Sequence, residues 1–192
     1  MITTDDIKAL RDETGVSVMQ CKKALEEAGG DREKAKVILR KLSGVAAAKH
    51  SERTLGSGAV GSYVHATGTI GAMTLLACET DFVAKNDEFR SLARDIAMHV
   101  AAMNPDFLRR EDVGAEAMDA ARAVFEKESA GKSVEIREKV ISGKLDAYFA
   151  EKILLEQPFI KDETRRIRDL VTAASQKFGE RVEVTRFVRV AV

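Results

Sequence analysis

The sequence predicts an α+β protein: a small N-terminal three-helix bundle, then a core in which a small antiparallel sheet packs with helices. Three observations carry this. The first 42 residues hold three apolar stripes at helical spacing, each opened by a capping residue. Residues 59–65 and 70–79 read as two strands of a hairpin around Thr67-Gly68. Helical stripes then resume, and the chain closes on an alternation of valines. At 192 residues the chain suits a small domain plus a medium one. The boundaries read as 1–42 for the bundle, 43–54 for a linker and 55–192 for the core.

Thr3 and Asp6 form a capping-box pair, followed by Ile7, Leu10 and Thr14 at helical spacing, and Gly15 ends that helix. Ser17 caps a second helix with Val18, Cys21, Leu25 and Ala28 on one face, stopped by Gly29-Gly30. Asp31 caps a third, striped by Ala35, Ile38, Leu39 and Leu42. Three helices in so few residues give a marginal core. Met19 sits one step off the second stripe, as a bundle-edge residue or a soft contact for a partner. Residues 43–56 are small and charged and read as a linker, in part helical.

In the core, Phe89, Leu92, Ile96, Val100 and Met103 mark a helix opening at Asp87 and ended by Asn104-Pro105. Residues 115–128 carry Met118, Ala121 and Phe125 on another. Ser133 is read as the cap of a short helix with Ile136, Val140 and Ile141, divided at Gly143 from a piece holding Leu145, Tyr148 and Phe149. Residues 153–159 form an apolar turn broken by Pro158. Residues 164–178 read as helix, with Ile167, Val171, Ala174 and Phe178 in register, closed by Gly179. Val182, Val184, Val188, Val190 and Val192 share one face of a last strand, and Arg186 interrupts them as a bulge, a sheet edge or a subunit boundary.

Composition excludes several classes. Lys+Arg and Asp+Glu both number 31, so the net charge is zero, against a dedicated nucleic-acid binder. Cys21 and Cys78 make neither a disulfide framework nor a metal-ligand spacing. No apolar run approaches the roughly 18 residues of a membrane span. Met1 is followed by Ile2-Thr3-Thr4-Asp5-Asp6 without a leader pattern. The expectation is a soluble protein of a reducing compartment. Gly56-Ser57-Gly58-Ala59-Val60-Gly61 matches a dinucleotide fingerprint in letters only, since a linker precedes it and a strand follows; flexibility or close strand packing is the better reading. Gly131-Lys132-Ser133 lacks the earlier glycine of a P-loop, which here is Glu126. His50, His65 and His99 are scattered, no nucleophile elbow appears, and Asp81 has no visible partner in acid–base work. An enzyme with its own active site is not supported.

The chain is organised around Thr80-Asp81-Phe82-Val83-Ala84-Lys85-Asn86, which joins a buried strand to a helix, where scaffolds present functional groups. Phe82, amid Asp81, Lys85 and Asn86, is hard to bury from a short loop. It either caps the core beneath its own helix, as most phenylalanines would, or anchors in another molecule's pocket.

Leu10-Arg11, Thr14-Gly15 and Met19-Gln20-Cys21-Lys22-Lys23-Ala24-Leu25 together resemble the N-terminal signature of the elongation factor Ts family. Cys78-Glu79-Thr80-Asp81-Phe82-Val83-Ala84-Lys85-Asn86 resembles its second signature nearly letter for letter. Ala97-Met98-His99-Val100-Ala101 and Leu155-Glu156-Gln157-Pro158-Phe159 fit as well. The likeness spans both predicted domains and is to the short members, which lack a long helical insertion. It implies a ubiquitin-associated-like bundle and a cytoplasmic exchange factor that acts on elongation factor Tu carrying GDP and Mg²⁺. It implies no active site, cofactor, nucleic acid or membrane partner for the factor itself. Carried over by position, Thr80, Asp81, Phe82 and Val83 intrude on the GTPase near its Mg²⁺ site, and Arg11, Val18, Met19 and Lys22 contact it near the guanine side. The family often has methionine where this chain has Val18. The resemblance turns the expectation for Phe82 to exposure and docking. For short members it also implies a homodimer through the C-terminal part of the core, which the valine-rich strand suits; with no cysteine in that strand, such a dimer is not linked covalently there. The rival class is a non-catalytic adaptor for protein or RNA, with the neutral charge weighing against RNA.

Overall fold

Thr3 opens helix α1 (Thr4–Thr14) with the capping box, its hydroxyl accepting from the Asp6 amide, in a computed structural model that describes residues 2–129 and 134–192. Ser17 caps α2 (Val18–Glu27) and Asp31 caps α3 (Arg32–His50), so the helical part of the small-residue stretch runs as far as His50. Leu10, Val16, Cys21, Ala24, Leu25, Ala35 and Leu39 form the bundle core. Two expected core members are exposed. Val18 opens α2 on the rim, ahead of the turn that supplies Cys21, and Leu42 lies past Leu39, the last α3 residue of the bundle core.

Strands β1 (Ser57–Val64) and β2 (Ile70–Cys78) flank a tight turn in which the His65 amide donates to Ile70 O at 2.8 Å. A Cβ on Gly58 would lie 2.6 Å from the Leu76 carbonyl oxygen. The glycine-rich letters therefore serve close approach of strands. A short helix α4 (Asp81–Ala84) follows where a loop was expected, then α5 (Asp87–Met103). Phe89, Ala93, Ile96, Ala97 and Val100 form the buried stripe of α5, and Met103, in its last turn, is exposed.

Helices α6 (Ala115–Glu128) and α7 (Val134–Lys152) pack through Ala121, Ile141, Leu145 and Phe149. Helix α7 runs unbroken through Gly143, contrary to the expected division. Glycine there costs about 1 kcal/mol of helix propensity, and burial of Ile141 and Leu145 on either side outweighs it. The expected Ser133 cap and the Gly131-Lys132-Ser133 stretch lie outside the described residues. Strand β3 (Pro158–Phe159) pairs antiparallel with β4 (Asp162–Arg166), so the last helix, α8, spans only Ile167–Phe178 and not 164–178. The Asp162 carboxylate accepts from both the amide (3.2 Å) and the hydroxyl (2.6 Å) of Thr164, a local alternative to helical bonding within β4 where the helix was expected to begin.

Strand β5 (Glu183–Ala191) completes a sheet of order β1-β2-β5. It runs against β2: the Val192 amide meets Thr69 O at one end, and the Arg181 amide meets the Glu79 carboxylate at the other. The five valines do not share one environment. Val182 and Val184 are buried, Thr185 and Arg186 are both exposed so the alternation slips, and Val188, Val190 and Val192 are exposed.

The chain forms two compact units, one of Met1–Val60, Leu75–Ala93 and Asp169–Val184, the other of Gly61–Thr74, Arg94–Arg168 and Thr185–Val192. In the second, the Arg110 guanidinium grips Glu156 with two bonds of 2.9 and 2.7 Å and reaches Asp146. Beside it runs a buried polar chain. The Ile160 amide donates to His99 Nδ1 (3.3 Å), which leaves Nε2–H to donate to Gln157 Oε1 (2.9 Å). Gln157 in turn donates to the Glu151 carbonyl at 2.6 Å. Burial holds the His99 imidazole below its ordinary pKa of 6.5, with the Gln157 bond opposing weakly. The unfolded chain therefore binds a proton here that the folded chain refuses, and this contribution is intact above pH 6.5 and lost as pH falls through the folded value. Thermal melts from pH 7.5 to 5 are expected to show falling stability, with a shallower decline in His99→Gln over the same window.

Candidate protein-docking site

The candidate site is built on the end of β2. Thr80 caps α4: its hydroxyl accepts from the Val83 amide at 3.4 Å, and its carbonyl accepts from the Ala84 amide at 3.2 Å. Val83 (4% exposed) and Ala84 point inward and anchor the turn. Asp81 and Phe82 are left on the outer side. The carbonyl end of α4 is closed by Arg90 Nε on Ala84 O (3.3 Å), and Asn86 Oδ1 caps α5 by accepting from the Glu88 and Phe89 amides. Every terminus of this one-turn helix is thus tied down, although four residues alone cannot sustain a helix.

Phe82 is 82% exposed. The other seven of the eight phenylalanines are buried or half-buried. Leaving Phe82 in water forgoes about 1.5–3 kcal/mol of burial, so the reading in which it caps its own core fails. With Asp81, Lys85 and Asn86 it borders a surface hollow of about 310 Å³. Lys85 Nζ meets Asp81 Oδ2 at 2.6 Å, and this hydrogen-bonded charge lowers the Asp81 carboxyl from its ordinary value. The pair is exposed, so it contributes little to stability and serves to keep a charged rim around the ring.

The support beneath the turn comes from far along the chain. Glu180 Oε2 accepts from the amides of Glu79 (3.1 Å) and Thr80 (3.0 Å), and Oε1 accepts from the Thr80 hydroxyl at 2.5 Å. Glu79 returns the brace by accepting from the Arg181 amide at 2.5 Å and from Arg53 Nη1 at 3.2 Å. Those bonds, the Arg181 amide first, hold the Glu79 carboxyl below its ordinary pKa. Lys177 pairs with Glu88 and lies 5.9 Å over the Phe178 ring, which meets Phe89 edge-on at 5.8 Å. A Cβ on Gly15 would come within 2.9 Å of Lys177 Nζ, so the α1–α2 turn is seated on α8.

In the same unit, Met19 (76% exposed) and Val18 (49%) project from the start of α2, with Arg11 and Lys22 also exposed. Among the described residues Lys22 makes only a long i,i+4 pair with Glu26, at 3.8 Å. Of the eight positions that the resemblance carries over as contacts, Val83 alone is buried. The spacing pattern missed Glu180, Lys177 and Arg181, whose partners lie about 90–100 residues away; no local signal marks them. Among the described residues no group of His, Cys, Asp or Glu is placed to hold a metal ion, and no helix is long and apolar enough to cross a membrane.

An aromatic displayed on a braced turn, in the same compact unit as an exposed apolar helix end, marks a candidate protein-docking surface on an α+β fold. Residues 36–192 match the family model described as elongation factor TS. Similar over nearly their whole length are proteins named elongation factor Ts from Carboxydothermus hydrogenoformans (47% identical, 98% of this chain and 88% of that one) and Thermodesulfovibrio yellowstonii (46%, 100% and 96%). That from Thermosipho melanesiensis is 45% identical, over 100% of this chain and 99% of its own. The chain belongs to the elongation factor Ts family and is a translation elongation factor.

The two neighbours on α4 are expected to separate cleanly. Phe82→Ala changes stability by no more than about 0.5 kcal/mol, under about 2 °C in the melt. Val83→Ala removes about 1.5 kcal/mol of burial and lowers the melting temperature by several degrees. Calorimetry of both variants checks this.

Proposed function

We propose that this protein is the guanine nucleotide exchange factor of elongation factor Tu, working in the cytoplasm without an active site of its own. The observation that carries the proposal is Phe82, exposed on a turn braced on every side. In this reading the Phe82 ring enters the GTPase near the Mg²⁺ of its bound GDP, with Thr80 and Asp81 at its edge. Mg²⁺ tolerates little departure from octahedral coordination, so a small shift of its surroundings releases the clamp on the β-phosphate. Arg11, Val18, Met19 and Lys22, on a three-helix unit taken as ubiquitin-associated-like and spanning 1–42, bear on the guanine side. The linker and the core, 55–192, present Phe82.

Two magnitudes constrain the mechanism. Factor and nucleotide weaken each other's binding by the same factor, so the factor does not choose GTP over GDP; the surrounding nucleotide ratio and later capture of the GTP form set the direction. A ten-thousandfold faster release needs about 5.5 kcal/mol of barrier, and one aromatic hot spot supplies roughly 2–4. The bundle contacts therefore carry a comparable share.

The test is stopped-flow release of a fluorescent GDP analogue from elongation factor Tu. Wild type at catalytic amounts is expected to accelerate release, Phe82→Ala to lose at least about thirtyfold, the lower end of an aromatic hot spot, and Met19→Ala to lose less. Binding without acceleration would leave the adaptor reading ahead. We further infer a homodimer through the C-terminal part of the core, from the exposure of Val64, Met73, Val188 and Val190 on β1, β2 and β5. Sedimentation should find a dimer that Val190→Lys converts to monomer; a monomeric wild type removes this inference.

A further inference from the structure

Glu180 is delivered to Thr80 by a specific piece of local structure. Helix α8 ends at Gly179, whose φ of +70° is a left-handed turn that residues with a Cβ adopt at a cost. The Gly179 amide closes on Ser175 O at 3.0 Å, and the buried Ser175 hydroxyl donates to the Glu180 carbonyl at 2.5 Å. The Glu180 backbone is thereby pinned while its side chain reaches back under β2.

There the carboxylate collects three donors, two amides and one hydroxyl, in charge-assisted bonds. The hydroxyl matters most. With its proton committed to Glu180, Thr80 Oγ1 has its lone pairs turned to the Val83 amide, which is the capping bond that starts α4. A relay results: Glu180 carboxylate, Thr80 hydroxyl, Val83 amide, and then the turn that carries Phe82. Nothing in the local sequence 80–86 replaces the first link.

We propose that Glu180 is a positioning residue for the docking of Phe82: it does not touch the partner, and it fixes the cap from which the ring is presented. In its effect on exchange this rests on the function proposed above; in its effect on the turn it rests on geometry alone. Because Glu180 acts only through the turn that presents Phe82 and leaves the bundle contacts in place, its loss lowers the maximal rate and leaves the concentration dependence nearly unchanged.

The experiment compares the full chain carrying Glu180→Ala, Glu180→Gln, Phe82→Ala, and Glu180→Ala with Phe82→Ala. At saturating factor, Glu180→Ala is expected to slow GDP release about tenfold, with the half-saturating concentration changed less than about threefold. Glu180→Gln keeps one acceptor for the two amides but turns an N–H toward the Thr80 hydroxyl, so its loss is intermediate, about threefold. The double variant is no slower than Phe82→Ala within about twofold, because the two changes remove one function. Amide hydrogen exchange gives the second readout: the Glu79, Thr80 and Val83 amides exchange at least about tenfold faster in Glu180→Ala, while Leu76 and Ile96 keep their protection. Losses that multiply in the double variant, or unchanged protection at Thr80 and Val83, overturn the proposal. Should Leu76 lose protection as well, Glu180→Gln carries the same comparisons. A wild type that does not accelerate release sinks the exchange reading, and hydrogen exchange alone then decides the role of Glu180.

Discussion

An aromatic ring held in water has to be held from below. Phe82 gains nothing from its own core, and α4 is too short to stand by its own hydrogen bonds. What keeps the ring in place is a set of tethers: Val83 and Ala84 buried beneath it, Asn86 and Arg90 on its exit side, and the paired carboxylates of Glu79 and Glu180 on its entry side. Rigidity here has a thermodynamic use. A ring that is already ordered before docking loses little freedom on binding, so more of its contact energy is left to act on the partner.

The second exposed apolar element follows the same logic at a different scale. The start of α2 shows Met19 and Val18 to solvent, and the turn that precedes it is seated on Lys177 of α8, which is itself locked to Glu88 of α5. Only two residues separate α4 from α5, so one short stretch of chain serves both the ring and the seat of the bundle. The two exposed apolar elements belong to one compact unit, which suits a mechanism in which neither supplies enough energy alone.

Much of this was legible in the sequence because it is local. Caps at Thr3, Ser17 and Asp31, the hairpin at Thr67-Gly68 and the span of α6 are set by residues a few positions apart, and all stand as read. The misreadings have a common cause. Gly143 was given the weight of a breaker, yet packing at Ile141 and Leu145 outweighs a propensity cost near 1 kcal/mol. Val18 and Leu42 matched a periodicity that continues past the end of the neighbouring surface. Thr164 reads as helix because nothing nearby in the sequence reports the pairing of β3 with β4. In the candidate site, Phe82 stood out by its company of charged neighbours, whereas Glu180 looks like any surface glutamate and gains its meaning only from a fold that brings it to Thr80.

That separation has a consequence for the order in which the molecule becomes competent. Thr80 and Glu180 are 100 positions apart. During synthesis the ring and its turn leave the ribosome long before the carboxylate that braces them. A nascent chain thus carries Phe82 on a turn that lacks its Glu180 brace, and any fragment that stops short of Glu180 lacks that brace permanently. The brace closes only once the end of α8 has met the end of β2, so the turn receives its full set of tethers late.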